Sequence, residues 1–315
     1  MTNQPSAMMI AGPTASGKSA VSLALAAKYE VEIISMDSAL VYRGMDIGSA
    51  KPTPEERSVC PHHLIDIRDI GESYSAADFL NDTRRLVGEI ASRGRFPLIV
   101  GGTMLYAKAL REGIHEMPGT DADVRAAVFE EGLRLGWPAM HALLDEVDHT
   151  TASRLAPNDS QRISRALEVY RMTGTPLSEF HARPATIPGI DVIPVGLMPA
   201  HRPRLHQRIE ERFDGMLEEG FLDEVKGLMA REDFDENSPA MRAVGYRQAI
   251  LYLKGEVDFE RFHLSGVAAT RQLAKRQMTW MRSMPDLKIF DPEDPETLPS
   301  IEAMLRPYVR EKIGS

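Results

Sequence analysis

Eight consecutive residues, Gly12-Pro-Thr-Ala-Ser-Gly-Lys-Ser19, fit G-x-x-x-x-G-K-[ST] at every fixed position, the spacing of a loop that cradles phosphate. The glycines let backbone N–H groups turn inward on a diphosphate, and the start of the following helix adds a favourable partial charge. Among Gly12, Pro13, Thr14, Ala15, Ser16, Gly17, Lys18 and Ser19, Lys18 would reach a phosphate oxygen and the Ser19 hydroxyl would ligate Mg²⁺. The loop specifies a ligand class and no reaction. A triphosphatase or small-molecule kinase usually adds an acid at the end of a hydrophobic strand. The strand expected there, Phe96 to Val100, ends instead in Gly101, Gly102 and Thr103. An acid does follow the short β-branched run Val31 to Ser35, namely Asp37. At a strand's carboxyl end it faces the phosphate site. There it can be a general base, a partner of magnesium-bound water, or the cap of a turn at Ser38-Ala39. Asp66 and Asp69, near a third strand candidate at Leu64 to Ile67, read as solvated loop acids.

These groups need a frame. Met8 to Ala11 is a short apolar run that enters the glycine loop. Ser19 to Tyr29 and Ala76 to Arg93 have helical spacing, and Gly94 stops the second. Strands alternating with helices predict an α/β fold, a P-loop NTPase-like parallel sheet flanked by helices. After about residue 111 the strand pattern stops. Asp121 to Leu135 and Met140 to Glu146 read as helices of an all-helical insertion domain over residues 112–149. Ser160 to Met172 is a further helix, and Ile187 to Leu197 returns a strand to the sheet. Arg204 to Leu228, Tyr246 to Lys254 and Gly266 to Met281 follow as helices. The catalytic core is thus expected over 1–111 and 150–290. Residues 291–315, opening on Asp291-Pro-Glu-Asp-Pro-Glu, read as a mobile tail.

A chain of 315 residues with 43% hydrophobic and 26% charged residues has a globular balance, which excludes a disordered or collagen-like polymer. The one cysteine, Cys60, allows neither an internal disulfide framework nor a cysteine zinc site, and it fits a reducing cytosol. No signal peptide and no membrane-length apolar run is expected, so the reading is cytoplasmic. The net charge of −9 argues at face value against a nucleic-acid partner. Its distribution reverses that inference. Glu112 to Asp148 holds nine acids and two bases, and Glu210 to Glu236 holds eleven acids and three bases. Arg242 to Arg282 holds eight bases and three acids, so the total hides a basic stretch.

Gly12 to Ser19, Asp37-Ser-Ala-Leu40 and Tyr42-Arg-Gly-Met-Asp-Ile-Gly-Ser-Ala-Lys-Pro52 together resemble the bacterial tRNA dimethylallyltransferase (IPP transferase) family. The resemblance continues in order through Gly101-Gly-Thr-Met-Leu-Tyr106, Asn158 to Val169, Arg242 to Gln248 and Thr270 to Trp280. It implies transfer of a dimethylallyl group from dimethylallyl diphosphate to N6 of adenosine 37 in tRNAs reading codons that begin with U. It also explains the strand without an acid, because the diphosphate is a leaving group. By resemblance Asp37 is the general base and Thr103 supports the departing diphosphate. Lys18, Ser19 and Mg²⁺ neutralise its charge, and Arg212 binds it, with Arg208 one helical turn away.

The resemblance further implies tRNA contacts at Asp37, Ser38, Ala39 and Leu40, and at Gln161, Arg162, Ile163, Ser164 and Arg165. It adds Arg242, Ala243, Val244, Gly245, Tyr246 and Arg247, and single positions at Thr103 and Arg125. It implies a monomer acting on the anticodon stem-loop. Plainer readings stand beside these. Arg162 and Arg165 can be solvated or paired with Glu168, and Tyr246 can be core packing. Arg271, Lys275, Arg276 and Arg282 can be an ordinary charged helix face. Trp137 and Trp280 read as structural, and His62-His63 lacks partners at metal-ligand spacing. Three other activities remain open: prenylation of free adenine nucleotides, a P-loop kinase or triphosphatase, and a non-catalytic RNA-binding module.

Overall fold

The computed structural model describes residues 4–186 and 189–312 and divides into two compact units, Met1–Arg111 with Pro188–Ser315, and Glu112–Ile187. The first unit begins with β1 (Ser6–Ala11), α1 (Lys18–Lys28), β2 (Val31–Met36), α2 (Pro54–Val59) and β3 (His62–His63). α3 (Ala76–Ser92), β4 (Phe96–Gly101) and α4 (Met104–Glu112) follow. The second unit holds α5 (Ala122–Leu135), α6 (Trp137–Val147), α7 (His149–Ala152), α8 (Ser160–Thr173) and α9 (Leu177–Ala182). The chain then returns with β5 (Asp191–Leu197), α10 (Arg202–Glu218), α11 (Phe221–Met229), α12 (Tyr246–Leu253), α13 (Phe259–Arg282), β6 (Lys288–Phe290) and α14 (Thr297–Leu305).

The strands form one parallel sheet in the order β3-β2-β4-β1-β5-β6. The central strands are nearly continuous runs of buried apolar residues because helices cover both faces. The two-residue period selects the faces. Met8 and Ile10, Val31 and Ile33, Phe96 and Leu98, and Val195 and Leu197 all point to one side. There they pack with Leu25 and Ala26 of α1 and with Ile301 and Leu305 of α14.

This packing corrects the reading of residues 291–315 as a mobile tail. Ile301 and Leu305 are fully buried, and the Lys28 ammonium pairs with Glu302 at 2.6 Å. The helical unit also runs past residue 149. Val128 of α5, Met140 and Leu144 of α6, and Ile163, Ala166 and Leu167 of α8 share one core, so α8 belongs to the insertion. The return strand starts at Asp191; Ile187 and Pro188 lie outside the described residues. Leu64 to Ile67 is no strand, since Leu64 (φ 62°) and Asp66 (φ 57°) take left-handed backbone. Arg204 to Leu228 is two helices, broken where Gly220 turns at φ 100°. No helix among the described residues is long and apolar enough to cross a membrane.

Candidate active site

Three loops leave the sheet at one register row. Met36, Gly101, Ala11 and Gly196 are paired neighbours across β2, β4, β1 and β5. Asp37, Gly102-Thr103 and the loop opening at Gly12 therefore start side by side at the carboxyl edge, where parallel sheets bind ligands. At position 101 only glycine fits this row, since a Cβ there would meet the Met36 carbonyl oxygen at 2.0 Å.

The phosphate loop is bent by Ala15 (φ 61°) and Gly17 (φ 85°), and successive amides in such a turn form an anion-binding concavity. Lys18 follows as the first residue of α1, and its Nζ donates to the Pro13 carbonyl at 2.7 Å. Burial pulls the Lys18 ammonium down to about 8; Asp37 opposes the shift and Arg212 adds to it. Arg212 stands on α10 with no hydrogen bond or ion pair among the described residues. Burial lowers its guanidinium too, and Asp37 again opposes. Asp37 is thus within electrostatic reach of Lys18 and Arg212, neither of which has an ion-pair partner among the described residues.

Asp37 Oδ1 accepts the Ala39 N–H at 2.8 Å, so the turn cap is real. Oδ2 accepts none among the described residues and remains available. Thr103 Oγ1 accepts the Ser38 N–H at 3.0 Å and donates to Ser38 Oγ at 3.3 Å. A cavity of about 660 Å³ opens on Lys18, Ser19, Asp37, Thr103 and Arg212, with apolar wall from Met216, Phe221 and Val244. A groove of about 430 Å³ lies over the outside of the loop, between Arg208 and Arg212. The two arginines differ. Arg208 faces Glu293 at 4.0 Å, whereas Arg212 lines both spaces and has no counter-ion.

A second loop, residues 42–52, closes the cavity wall with Gly48, Ser49 and Ala50. Two charged groups hold it. Lys51, with its side chain only 3% exposed, donates to the Tyr42 carbonyl at 2.8 Å and to Asp46 and Asp66 at 2.6 Å each. Arg57 takes the other Asp66 oxygen at 3.0 Å, and Arg43 and Arg231 pair with Asp69. Neither acid is a free loop carboxylate. Glu224 of α11 accepts the N–H groups of Asp46, Ile47 and Gly48 at 2.8, 2.6 and 3.2 Å, and the Tyr246 hydroxyl at 2.6 Å. Sequence reasoning singled out neither Glu224 nor the anchoring role of Lys51.

Ser38, Ala39, Leu40, Arg242, Ala243, Val244 and Gly245 line the same cavity. Arg247 is exposed beside them on α12. Tyr246 also borders the cavity, but it is fully buried. It packs edge-on against Phe221 and donates to Glu224, and burial and Glu224 push its phenol up. It is a wall and a donor and no platform for a stacked base. Trp280, read from sequence as structural, is 39% exposed and lines the cavity with Arg276.

Arg125 and Gln161 to Arg165 belong to the helical unit. Gln161, Arg162 and Arg165 border a cleft of about 550 Å³ there, with Arg154 and His181. Ile163 is corrected as an RNA contact, because it is fully buried in that unit's core. Ser164 is buried as well. Arg165 is half-buried, paired with Glu168 at 2.7 Å and bonded to the Pro118 and Gly119 carbonyls. In the first unit Arg271 pairs with Glu210 at 2.6 Å. Arg125 is exposed on α5.

The protein oxygen that the phosphate loop itself offers a metal is the Ser19 hydroxyl. Among the described residues no cluster of three or more His, Cys, Asp or Glu could hold an ion. Ser19 is exposed at the head of α1 and opens on both spaces. Mg²⁺ keeps waters and takes phosphate oxygens readily, so a lone hydroxyl beside a bound diphosphate fits it.

A family model for IPP transferase matches residues 40–284. The chain is 57% identical over 302 residues to a tRNA dimethylallyltransferase of Paraburkholderia xenovorans, covering 93% of this chain and 96% of that one. Among solved structures it is similar to a tRNA isopentenylpyrophosphate transferase of Bacillus halodurans, at 36% identity and a TM-score of 0.69, covering 96% of each chain. A eukaryotic dimethylallyltransferase acting on tRNA superposes with a TM-score of 0.77 at 28% identity, over 95% of this chain and 77% of that one.

Proposed function

The chain belongs to the IPP transferase family, and from that membership we infer that it is a tRNA dimethylallyltransferase. It transfers the dimethylallyl group of dimethylallyl diphosphate to N6 of adenosine 37 in the anticodon loop of tRNAs reading codons that begin with U, and it releases diphosphate. One observation carries the assignment of the site. A phosphate loop with two cations that lack an ion pair among the described residues meets a carboxylate with a free oxygen in one cavity, and the neighbouring strand end carries no acid.

The adenine amine is a weak nucleophile because its lone pair is delocalised into the ring. As N6 bonds to the allylic carbon, its proton passes to Asp37 Oδ2. The carbon–oxygen bond breaks and its electron pair leaves on the diphosphate. The loop amides, Lys18 and Arg212 stabilise that developing charge, the largest single contribution expected in such a site. The Thr103 proton lies on a long 3.3 Å bond to Ser38 Oγ and can turn to the bridging oxygen. When bound, Mg²⁺ supplies further neutralisation of the diphosphate from Ser19. Met216, Phe221 and Val244 give the allyl group a dry wall, which disfavours its capture by water. The target base must be extruded to enter. Arg242 and Arg247, exposed and without ion pairs among the described residues, suit the RNA backbone beside the cavity. Arg125, Gln161, Arg162 and Arg165 give the helical unit its RNA surface. The protein works as a monomer in the cytoplasm, where its substrate is.

Mass spectrometry after incubation with dimethylallyl diphosphate and either tRNA or AMP tests the reading. Prenylated tRNA and equimolar diphosphate are expected; equal rates on AMP would refute the RNA assignment, and acceptor-stimulated phosphate release from ATP would refute the transferase. Asp37→Ala is expected to lose about 10²–10⁴-fold in turnover while still binding tRNA, and retained turnover would remove Asp37 as the base.

A further inference from the structure

Gln277 lies on α13, 92% buried, and borders the cavity together with Arg276 and Trp280 of the same helix. Its Oε1 accepts the N–H of Thr14 at 3.0 Å. Its Nε2 donates to the Gly102 carbonyl at 2.7 Å. One primary amide thus ties the phosphate loop to the loop that carries Thr103. Space is equally restricted, since a Cβ on Gly102 would lie 2.5 Å from Gln277 Nε2 and 3.0 Å from the Gly12 carbonyl.

The demand on this position is specific. It needs an acceptor and a donor on one planar group, because one partner is an N–H and the other a carbonyl. Only one orientation of the amide satisfies both. A carboxylate there would set a negative oxygen against the Gly102 carbonyl and add charge beside a diphosphate. An apolar side chain would leave a partly buried N–H and a buried carbonyl without this partner. Thr14 sits where the loop turns from Gly12 toward Ala15 and lines the cavity, so the tether sets where the following amides and Lys18 stand. Gly102 immediately precedes Thr103, so the same tether sets the hydroxyl. Two loops that must hold one leaving group are thereby fixed relative to each other.

We propose that Gln277 is a positioning residue of the transferase, one that holds the phosphate loop and the Thr103 loop in register for the departing diphosphate. The proposal rests on the loop being the diphosphate site. It makes no contact between Gln277 and the reacting atoms, so the residue acts through the geometry of the other two loops. A misplacement of about 1 Å at such a site costs on the order of 10²-fold in rate.

Two variants test it, each assayed as the full chain with tRNA and dimethylallyl diphosphate. Gln277→Met keeps the volume and removes both hydrogen bonds. It is expected to raise the KM for dimethylallyl diphosphate and the inhibition constant of diphosphate, and to cut kcat about 10- to 100-fold. The affinity for tRNA and the melting temperature report folding. Gln277→Glu gives a signature that a structural role would not. Its neutral acid reproduces both hydrogen bonds and its ionised form breaks one. The activity of this variant relative to wild type is therefore expected to rise as pH falls, with a midpoint above the usual carboxylate range because the site is buried. A constant ratio across pH, or unchanged KM and diphosphate inhibition in Gln277→Met, would overturn the proposal. Failure of the wild-type protein to prenylate tRNA would instead overturn the reading of the loop on which it rests.

Discussion

Glu224 collects four donors from the cavity wall, and its removal has a calculable local effect. In Glu224→Ala the N–H groups of Asp46, Ile47 and Gly48 and the Tyr246 hydroxyl lose their acceptor. Hydrogen bonds to a charged group contribute about 1.5–3 kcal/mol each when buried. Glu224 is half-exposed, so water replaces part of this and screens the charge, leaving about 4 kcal/mol for the set. Glu224→Gln retains one acceptor oxygen. Its better orientation keeps the Asp46 and Ile47 bonds and turns its NH₂ toward Gly48 and Tyr246, whose hydroxyl can rotate to accept. One amide is then unpaired and the charge is lost, a cost of about 2 kcal/mol. These energies belong to the 42–52 loop, so a local probe is the right assay. Hydrogen exchange of peptides spanning 42–52 is expected to accelerate about 30-fold in Glu224→Gln and about 10³-fold in Glu224→Ala, at about 1.4 kcal/mol per tenfold. Exchange in the β1 and β4 peptides should stay as in wild type. The KM for dimethylallyl diphosphate should rise with the loosened wall. Exchange at 46–48 that changes less than about threefold in Glu224→Ala would refute the anchoring argument.

Two further outcomes are expected. In the free enzyme Lys18 is a cation below about pH 8 and loses its charge as pH rises through that value. The kcat/KM for dimethylallyl diphosphate should therefore fall on an alkaline limb near pH 8, with the kcat limb displaced upward because bound diphosphate restores the ammonium. The limb should disappear in Lys18→Arg, and its persistence would assign it to another group. Leu305→Ala removes a fully buried side chain of α14 and should cost about 3 kcal/mol in urea unfolding, whereas a mobile tail would register no change.

The phosphate loop and Asp37 were legible because their chemistry is local: eight adjacent residues in one case, one acid after a β-branched run in the other. The sheet was legible because buried parallel strands are short apolar runs and the chain alternates them with helices. What escaped was non-local. Gln277 meets Thr14 across 263 positions, and a glutamine within a helical pattern carries no signal of what it will bond. Glu224 sat in a segment that reads as surplus acidity, yet its charge is consumed by backbone amides. Leu64 to Ile67 has a strand's composition, but Lys51 and Arg57 draw the Asp66 carboxylate aside and the backbone turns left-handed. The acidic prolines after Asp291 suggested disorder because the apolar spacing of Ile301 and Leu305 is too brief to announce a helix by itself. For Ile163, the match to a contact segment named a stretch of chain, and helical periodicity then divides that stretch between surface and core.

The glycine pair that ends β4 limits where mutation can take this protein. A phosphate loop turned toward triphosphate hydrolysis usually adds an acid at the end of a hydrophobic strand, separate from the one that here serves the amine. An acid could be written at position 101 or 102, but position 101 has no room beside the backbone of β2, and position 102 takes a side chain only by displacing Gln277. The Met36 carbonyl would lie 2.0 Å from the new Cβ at one, and the Gln277 amide 2.5 Å from it at the other. The first would have to break the β2–β4 ladder and the second would have to evict the tether. An acid at this strand end would therefore either break the sheet or give up the tether, so the crowding that aligns the leaving group also keeps a carboxylate out of this place.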